Sequence, residues 1–195
     1  MPEDGTVFGF YNDYLMLIEL AAVSPSGLAA ISRSYPRLLV VASASDLEAR
    51  IKATISTVVK DKVGASFSSF TNDRVLARNY HQLFDWNSLT AKPFFSSFGP
   101  ESGRAFKRAR ENDVYERNHK SFMELGERRN QLVHNNFGSF ELEWTAAEVI
   151  DRYRNALGFV DSLAHFVRFC ISTEFESDQI LGILLLDHLS EHSGA

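Results

Sequence analysis

The chain has 195 residues, 45% of them hydrophobic and 23% charged, with a formal charge of −5 and a single cysteine. That length suits one well-buried domain, and the composition excludes a disordered chain. The negative charge excludes a protein that coats nucleic acid over its whole surface, and one cysteine excludes both an intramolecular disulfide and a cysteine-based zinc site.

Helical spacing runs through the sequence. A leading helix is expected over about residues 8–22, where apolar residues cluster until Val23-Ser-Pro-Ser-Gly27 interrupts them. From Pro36, read as a first-turn residue, Leu38, Val41, Ala42, Ile51, Ile55, Val58 and Val59 recur at spacings of mostly three or four until Gly64, which predicts a first long helix. A segment rich in Ser and Phe, Ala65 to Asn72, follows, and shorter helical pieces are expected over Leu76 to Leu89 and Pro93 to Phe98. Glu101 to His134 supports one long helix or two in succession. Its end is marked by Asn135, Asn136 and Gly138, which tolerate the backbone conformations that close helices.

Phe137 to Leu142 reads as a brief extended connector. Thr145-Ala-Ala-Glu148 is a capping box, so a second long helix is expected from Ala146 to about Ile171. Ser177 is expected to cap a last helix over about 177–190. Cys170 lies in the apolar stretch Phe166 to Ile171 and reads as a core residue of a reducing compartment. No basic segment precedes an apolar one at the N-terminus, and no apolar run approaches the length of a membrane span, so a cytoplasmic location with no membrane contact is expected. The expected architecture is all-α, a single helical bundle over 1–195.

The chemistry concentrates in Arg128-Arg-Asn-Gln-Leu-Val-His134-Asn-Asn. Arg129 and His134 lie about 140° apart around an ideal helix, whereas Asn130 and His134, at i and i+4, share a face. The long arginine side chain can swing to that face, so guanidinium, carboxamide and imidazole can converge. An imidazole exchanges protons near neutrality and a guanidinium presents a planar fork that suits phosphate. Where RNA is the substrate its own 2′-hydroxyl serves as nucleophile, so an acid/base and a positive charge suffice, with no metal or cofactor. On spacing alone the competing reading is that Arg129 and His134 simply favour a helix C-terminus as cations.

"ERRNQLVHNN" resembles the signature segment of HEPN domains, with Arg129, Asn130, Leu132, Val133 and His134 in the places of its Arg, polar residue, apolar pair and His. The preceding "VASASDLEARIKATISTVVKDKV", the irregular middle with "FFSSFGPE" and the following "AEVIDRYRNALGFVDSLAHFV" give an order similar to the RiboL-PSP type of HEPN domain over roughly residues 36–171. The leading and last helices then stand as additions. The resemblance implies a HEPN-like bundle that cuts RNA without metal, as a toxin or in bacterial defence, at a site formed between two subunits of a homodimer. An antitoxin or a defence-system protein is the implied partner. By matching positions, Arg129 holds the scissile phosphate, His134 is the general acid or base and Asn130 orients them. Glu48 stands where some members place an acidic residue near the Arg. Arg128 also fits the spacing to His134, and Asn135 stands where many relatives have Gly. A catalytically inactive HEPN-like adaptor is the other function the resemblance allows.

Other residues bear on RNA and on metals. Arg104, Lys107, Arg108, Arg117 and Lys120, with Arg110, exceed the acids between them by three charges. They are either a track for RNA phosphates or a solvated, charge-paired helix face. Tyr115 and His119, one turn apart among them, either stack on a base or pack half-buried, and His119 is also a candidate second imidazole for the site. His188 and His192 offer two ligands at helical spacing, fewer than a zinc site needs, so no metal is expected. For His81 and His165 the sequence pattern signals no partner. No Gly-x-Ser-x-Gly turn and no Gly-rich phosphate loop occurs, which excludes serine-hydrolase and nucleoside-triphosphatase readings.

Overall fold

A computed structural model describes residues 5–135, 137–170 and 177–186. Their helices are α1 (Thr6–Ala21), α2 (Pro25–Val63), α3 (Ala65–Thr71), the single turn α4 (Ala77–Asn79), α5 (Lys92–Ser96), α6 (Pro100–Ala109), α7 (Asp113–His134), α8 (Ala146–Cys170) and α9 (Ser177–Leu184). No strand occurs among the described residues, so the all-α expectation is correct. His188 and His192 lie outside them.

The break read at Val23 to Gly27 is instead the start of a helix. Ser24 caps α2 by accepting the Gly27 N–H at 3.3 Å, and Pro25 occupies the first turn, where its missing N–H costs nothing. Pro36 consequently lies inside α2 rather than at its start, and α2 spans 39 residues. An interior proline forfeits one backbone hydrogen bond. Tertiary packing compensates: Tyr35 stacks on Phe10 of α1 with ring centroids 4.7 Å apart, and its hydroxyl donates to the Phe10 carbonyl at 3.2 Å.

The long stretch ending at His134 is two helices. Chain direction changes at Arg110 to Asn112, where Asn112 caps α7 by accepting the Tyr115 N–H at 2.9 Å, and Arg110 forks onto Glu116 at 2.6 and 2.7 Å. The capping box at the head of α8 forms as expected, with Glu148 N–H on the Thr145 hydroxyl and Thr145 N–H on the Glu148 carboxylate.

The piece expected over Leu76 to Leu89 is helical only as far as Gln82. It follows a π-helical turn at Asn72–Leu76 and comprises α4 and a 3-10 turn at Tyr80–Gln82. Beyond it Asp85 accepts the Ser88 N–H at 3.0 Å, Leu89 adopts φ +49°, and Asp85 and Thr90 exchange backbone hydrogen bonds. An aspartate side chain that takes a nearby N–H diverts the backbone from helix into a turn.

Helices α2, α7 and α8 form the central layer of the bundle. Leu39, Leu47 and Ile51 of α2 are fully buried, each contributing on the order of 1.5–3 kcal/mol. Rings fill the rest: Phe122 lies 5.0 Å from Phe159, and Phe95 stacks on Phe106 at 4.5 Å. Both flanking helices cover this core. Phe8 of α1 meets Tyr153 edge-on at 5.4 Å, and Ile180 and Leu184 of α9 are buried against α6 and α8.

Candidate functional site

The site is built where α7 ends. Helix α7 terminates at His134, and Asn135, its capping residue, donates its N–H to the Gln131 carbonyl at 2.9 Å. The chain beyond is tied down from α2: the buried Arg37 donates to the carbonyls of Phe137 and Gly138 at 3.2 and 3.3 Å. An exposed imidazole therefore sits on a helix end whose outgoing chain is anchored.

Asn130 and His134 line one open groove of about 600 Å³, as their i, i+4 spacing predicts. Its opposite wall is the loop after α4, which contributes His81, Asp85 and Trp86. Arg129 reaches the His81 wall from α7. Its Nη1 lies 3.5 Å from His81 Nε2 and donates to the Asn130 side-chain carbonyl at 3.2 Å. A narrower cleft behind the groove brings Glu48, Tyr80 and His81 beside Arg129.

His81 is the residue that sequence reasoning missed. Forty-eight positions separate it from Arg129, and no local pattern signals a contact across that distance. Its protonation is disfavoured, first by desolvation and then by the Arg129 charge, with Lys52 and His134 adding to the effect and Glu48 opposing it.

Glu48 stands at the site's edge, but its carboxylate pairs with Lys52 one turn along α2. Lys52 in turn lies over the Tyr80 ring, 5.2 Å from its centroid. Tyr80 is buried, and desolvation holds its phenol protonated far above the usual range.

The two adjacent arginines diverge. Arg128 donates to the Gln131 side chain at 2.7 Å and lies 5.5 Å from the Trp144 ring, a ring that Arg152 covers at 4.1 Å. Only Arg129 of the pair contacts the His81 wall.

A glycine makes the opposite wall fit. A Cβ on Gly126 would come within 2.0 Å of the Trp86 ring, closer than atoms can approach. Trp86 is held there by its indole N–H, which donates to the His81 carbonyl at 2.9 Å. The Gly126→Ala variant is accordingly expected to expel the indole and lose about 1–3 kcal/mol of stability. In a Trp144→Phe background, where Trp86 is the remaining tryptophan, its emission shifts to the red. Unchanged emission and an unchanged urea midpoint would refute this contact.

Several of the basic residues of α6 and α7 are charge-paired. Arg104 pairs with Glu101, Arg108 with Asp178 and Lys120 with Glu124, the last at 3.8 Å. Lys107 is exposed on α6, and Arg117 faces a second groove with Arg50, Arg154 and Arg168. None of Arg104, Lys107, Arg108, Arg117 and Lys120 lines the His81–His134 groove.

Tyr115 and His119 are 0% and 1% exposed, so neither stacks on a base and His119 does not serve the groove. They face inward because the side of α7 that carries them packs against Phe106 and Phe159. Among the described residues no group of three or more His, Cys, Asp or Glu is placed to hold a metal, and no helix is long and apolar enough to cross a membrane.

Comparison with known proteins gives one finding. The profile of the RiboL-PSP-HEPN family matches residues 14–167, beginning inside α1 and therefore reaching further toward the N-terminus than the resemblance read over 36–171. No match was found among curated proteins or among solved structures.

Proposed function

We propose that this chain, which belongs to the RiboL-PSP-HEPN family, is a metal-independent endoribonuclease whose reacting groups are Arg129 and His134, with Asn130 as orienting residue. The observation that carries the reading is that Asn130 and His134 line one solvent-open groove at the end of α7, with Arg129 in the adjoining cleft in contact with both Asn130 and His81 of the facing wall. Arg129 supplies positive charge where a phosphate gains negative charge, and His134 supplies the proton transfer that 2′-hydroxyl attack requires.

A homodimer is part of the proposal. Val133 and Phe137, on either side of His134, are exposed at 53% and 38%, and they border an apolar groove of about 800 Å³ shared with Phe10, Leu38 and Val41. A second copy seated there places each His134 beside the two-fold axis, the isologous arrangement of symmetric dimers. Arg117 and Lys120 on α7, with Arg104, Lys107 and Arg108 on α6, are the proposed contacts of a longer RNA. Glu48 and Arg128 are proposed as supports, Glu48 through its charge on the Tyr80–His81 wall and Arg128 through Trp144. Asn135 supports the site by closing the helix that carries His134. The biological setting that accords with the family is defence or a toxin–antitoxin pair, with the antitoxin or defence protein as partner.

The test is incubation of the purified protein, free of any inhibitory partner, with total RNA in the presence of EDTA. Wild type is expected to fragment the RNA and His134→Ala to leave it intact. Equal integrity with both proteins removes the nuclease reading in favour of a catalytically inactive adaptor.

A further inference from the structure

The loop wall opposite α7 carries an imidazole that the family motif does not contain. We infer that His81 is a second proton-transfer group, acting as general base across the groove from His134, with Arg129 beside it on the phosphate; this rests on the nuclease reading above.

Three placements support it. His81 Nε2 lies 3.5 Å from Arg129 Nη1, so a phosphate held by that guanidinium has the imidazole as its neighbour. His81 and His134 line the same groove from opposite elements, the loop after α4 and the end of α7. The position of His81 is also fixed through its backbone: its carbonyl accepts the Trp86 indole N–H at 2.9 Å, and Trp86 is seated on Gly126 one turn before Asn130. The side chain is exposed while its backbone is held, which is how a proton-transfer group is presented to a substrate.

The charged and titratable groups facing His81 define its role. From α7 these are Arg129 and His134, from α2 Glu48 and Lys52, and from its own loop Asp85, which lines the groove. Desolvation and the adjacent guanidinium, against Glu48, favour the neutral ring, the form that accepts a proton.

In the reaction His81 Nε2 takes the proton of the 2′-hydroxyl as the 2′-oxygen bonds to phosphorus. The P–O5′ bond breaks as protonated His134 delivers its proton to O5′. The products are a 2′,3′-cyclic phosphate and a 5′-hydroxyl end. His81 leaves as imidazolium and His134 as the neutral ring, and exchange with solvent resets both. In the proposed dimer each copy then carries a complete acid/base pair.

The experiment measures cleavage of a single-stranded RNA oligonucleotide pool against pH, using the full chain and its His81→Gln, His81→Ala and His134→Ala variants. Wild type is expected to give a bell-shaped profile. His81→Gln should cleave about a hundredfold more slowly or worse and lose the rise on the acidic side. Added imidazole should restore part of the rate to His81→Ala. Bound RNA and the urea midpoint should stay near wild type, because the substituted side chain is exposed and the Trp86 contact uses the backbone.

If His134→Ala is inert while His81→Gln keeps the wild-type rate and profile, the role of His81 is overturned and the nuclease reading stands. A slowed His81→Gln with an unchanged profile and no imidazole rescue overturns it equally, since that marks a structural residue. If wild type leaves the RNA intact, or His134→Ala cuts as fast as wild type, both readings fall together.

Discussion

Replacement of Arg129 by alanine is expected to slow RNA cleavage roughly 100- to 1,000-fold, the range seen when one preorganised donor to developing negative charge is removed. Arg129 lies on the side of α7 that looks toward the loop wall, and its guanidinium is oriented by the Asn130 carbonyl at 3.2 Å and placed 3.5 Å from the His81 ring. It is the arginine of the pair that reaches the His81 wall, because Arg128 is turned toward Trp144.

Arg129→Lys discriminates further. A lysine retains the charge but loses the planar fork, so binding recovers more fully than turnover. Arg128→Ala is the comparison: a support that acts only through Trp144 should slow cleavage far less than Arg129 does, by no more than about threefold. The salt dependence of RNA binding should fall by about one phosphate contact in Arg129→Ala. Should Arg129→Ala cut as fast as wild type while Arg128→Ala is dead, the assignment of the two arginines is reversed.

What the sequence disclosed divides along the range of the interactions involved. The capping box at Thr145–Glu148, the end of α7 at His134 and the helical class are set by neighbours within a turn or two, and all three were legible. Pro36 misled because its usual place in a first turn was overridden by Tyr35 packing on Phe10, a contact 25 positions away.

The candidate site divides in the same way. Arg129, Asn130 and His134 share a single helix, so their spacing could be read directly. His81 could not be found by spacing, because its contact with Arg129 depends on how a loop after a π-helical turn folds back over α7. The one signal available was indirect: Gly126 sits mid-helix, where glycine is costly, and such a position often marks a close approach. That glycine admits Trp86, and Trp86 holds the His81 backbone. His119 is the reverse case, an imidazole near the motif in sequence for which packing and a place at the site were both open and which the fold buries.

The buried His119 makes stability fall in mild acid. Its Nε2 accepts the Ala91 N–H at 3.2 Å, which assigns the ring proton to Nδ1, 3.4 Å from a Glu116 carboxylate oxygen that Arg110 already engages. Phe106 and Phe159 present their rings at 5.3 Å on either side. Desolvation dominates, and it pushes the imidazole down to about 4 from an ordinary 6.5; Glu116 opposes the shift and Arg110 adds to it. A histidine whose folded value lies below its unfolded one favours the neutral fold. Its contribution is fully present above pH 6.5 and is lost as pH falls from there toward about 4. At about 1.4 kcal/mol per pH unit the loss is on the order of 3 kcal/mol.

Protonation also ends the acceptor role of Nε2, so the Ala91 N–H is left unpaired in the core and the loop that carries His81 loses its anchor to α7. Wild type should therefore show a urea midpoint that declines steeply through this window. In His119→Gln, whose amide oxygen can replace Nε2 as acceptor, that component of the decline should vanish, although cavity and packing changes lower stability by about 1–2 kcal/mol at neutral pH. Parallel midpoint curves for the two proteins would show that acid destabilises the fold through other groups.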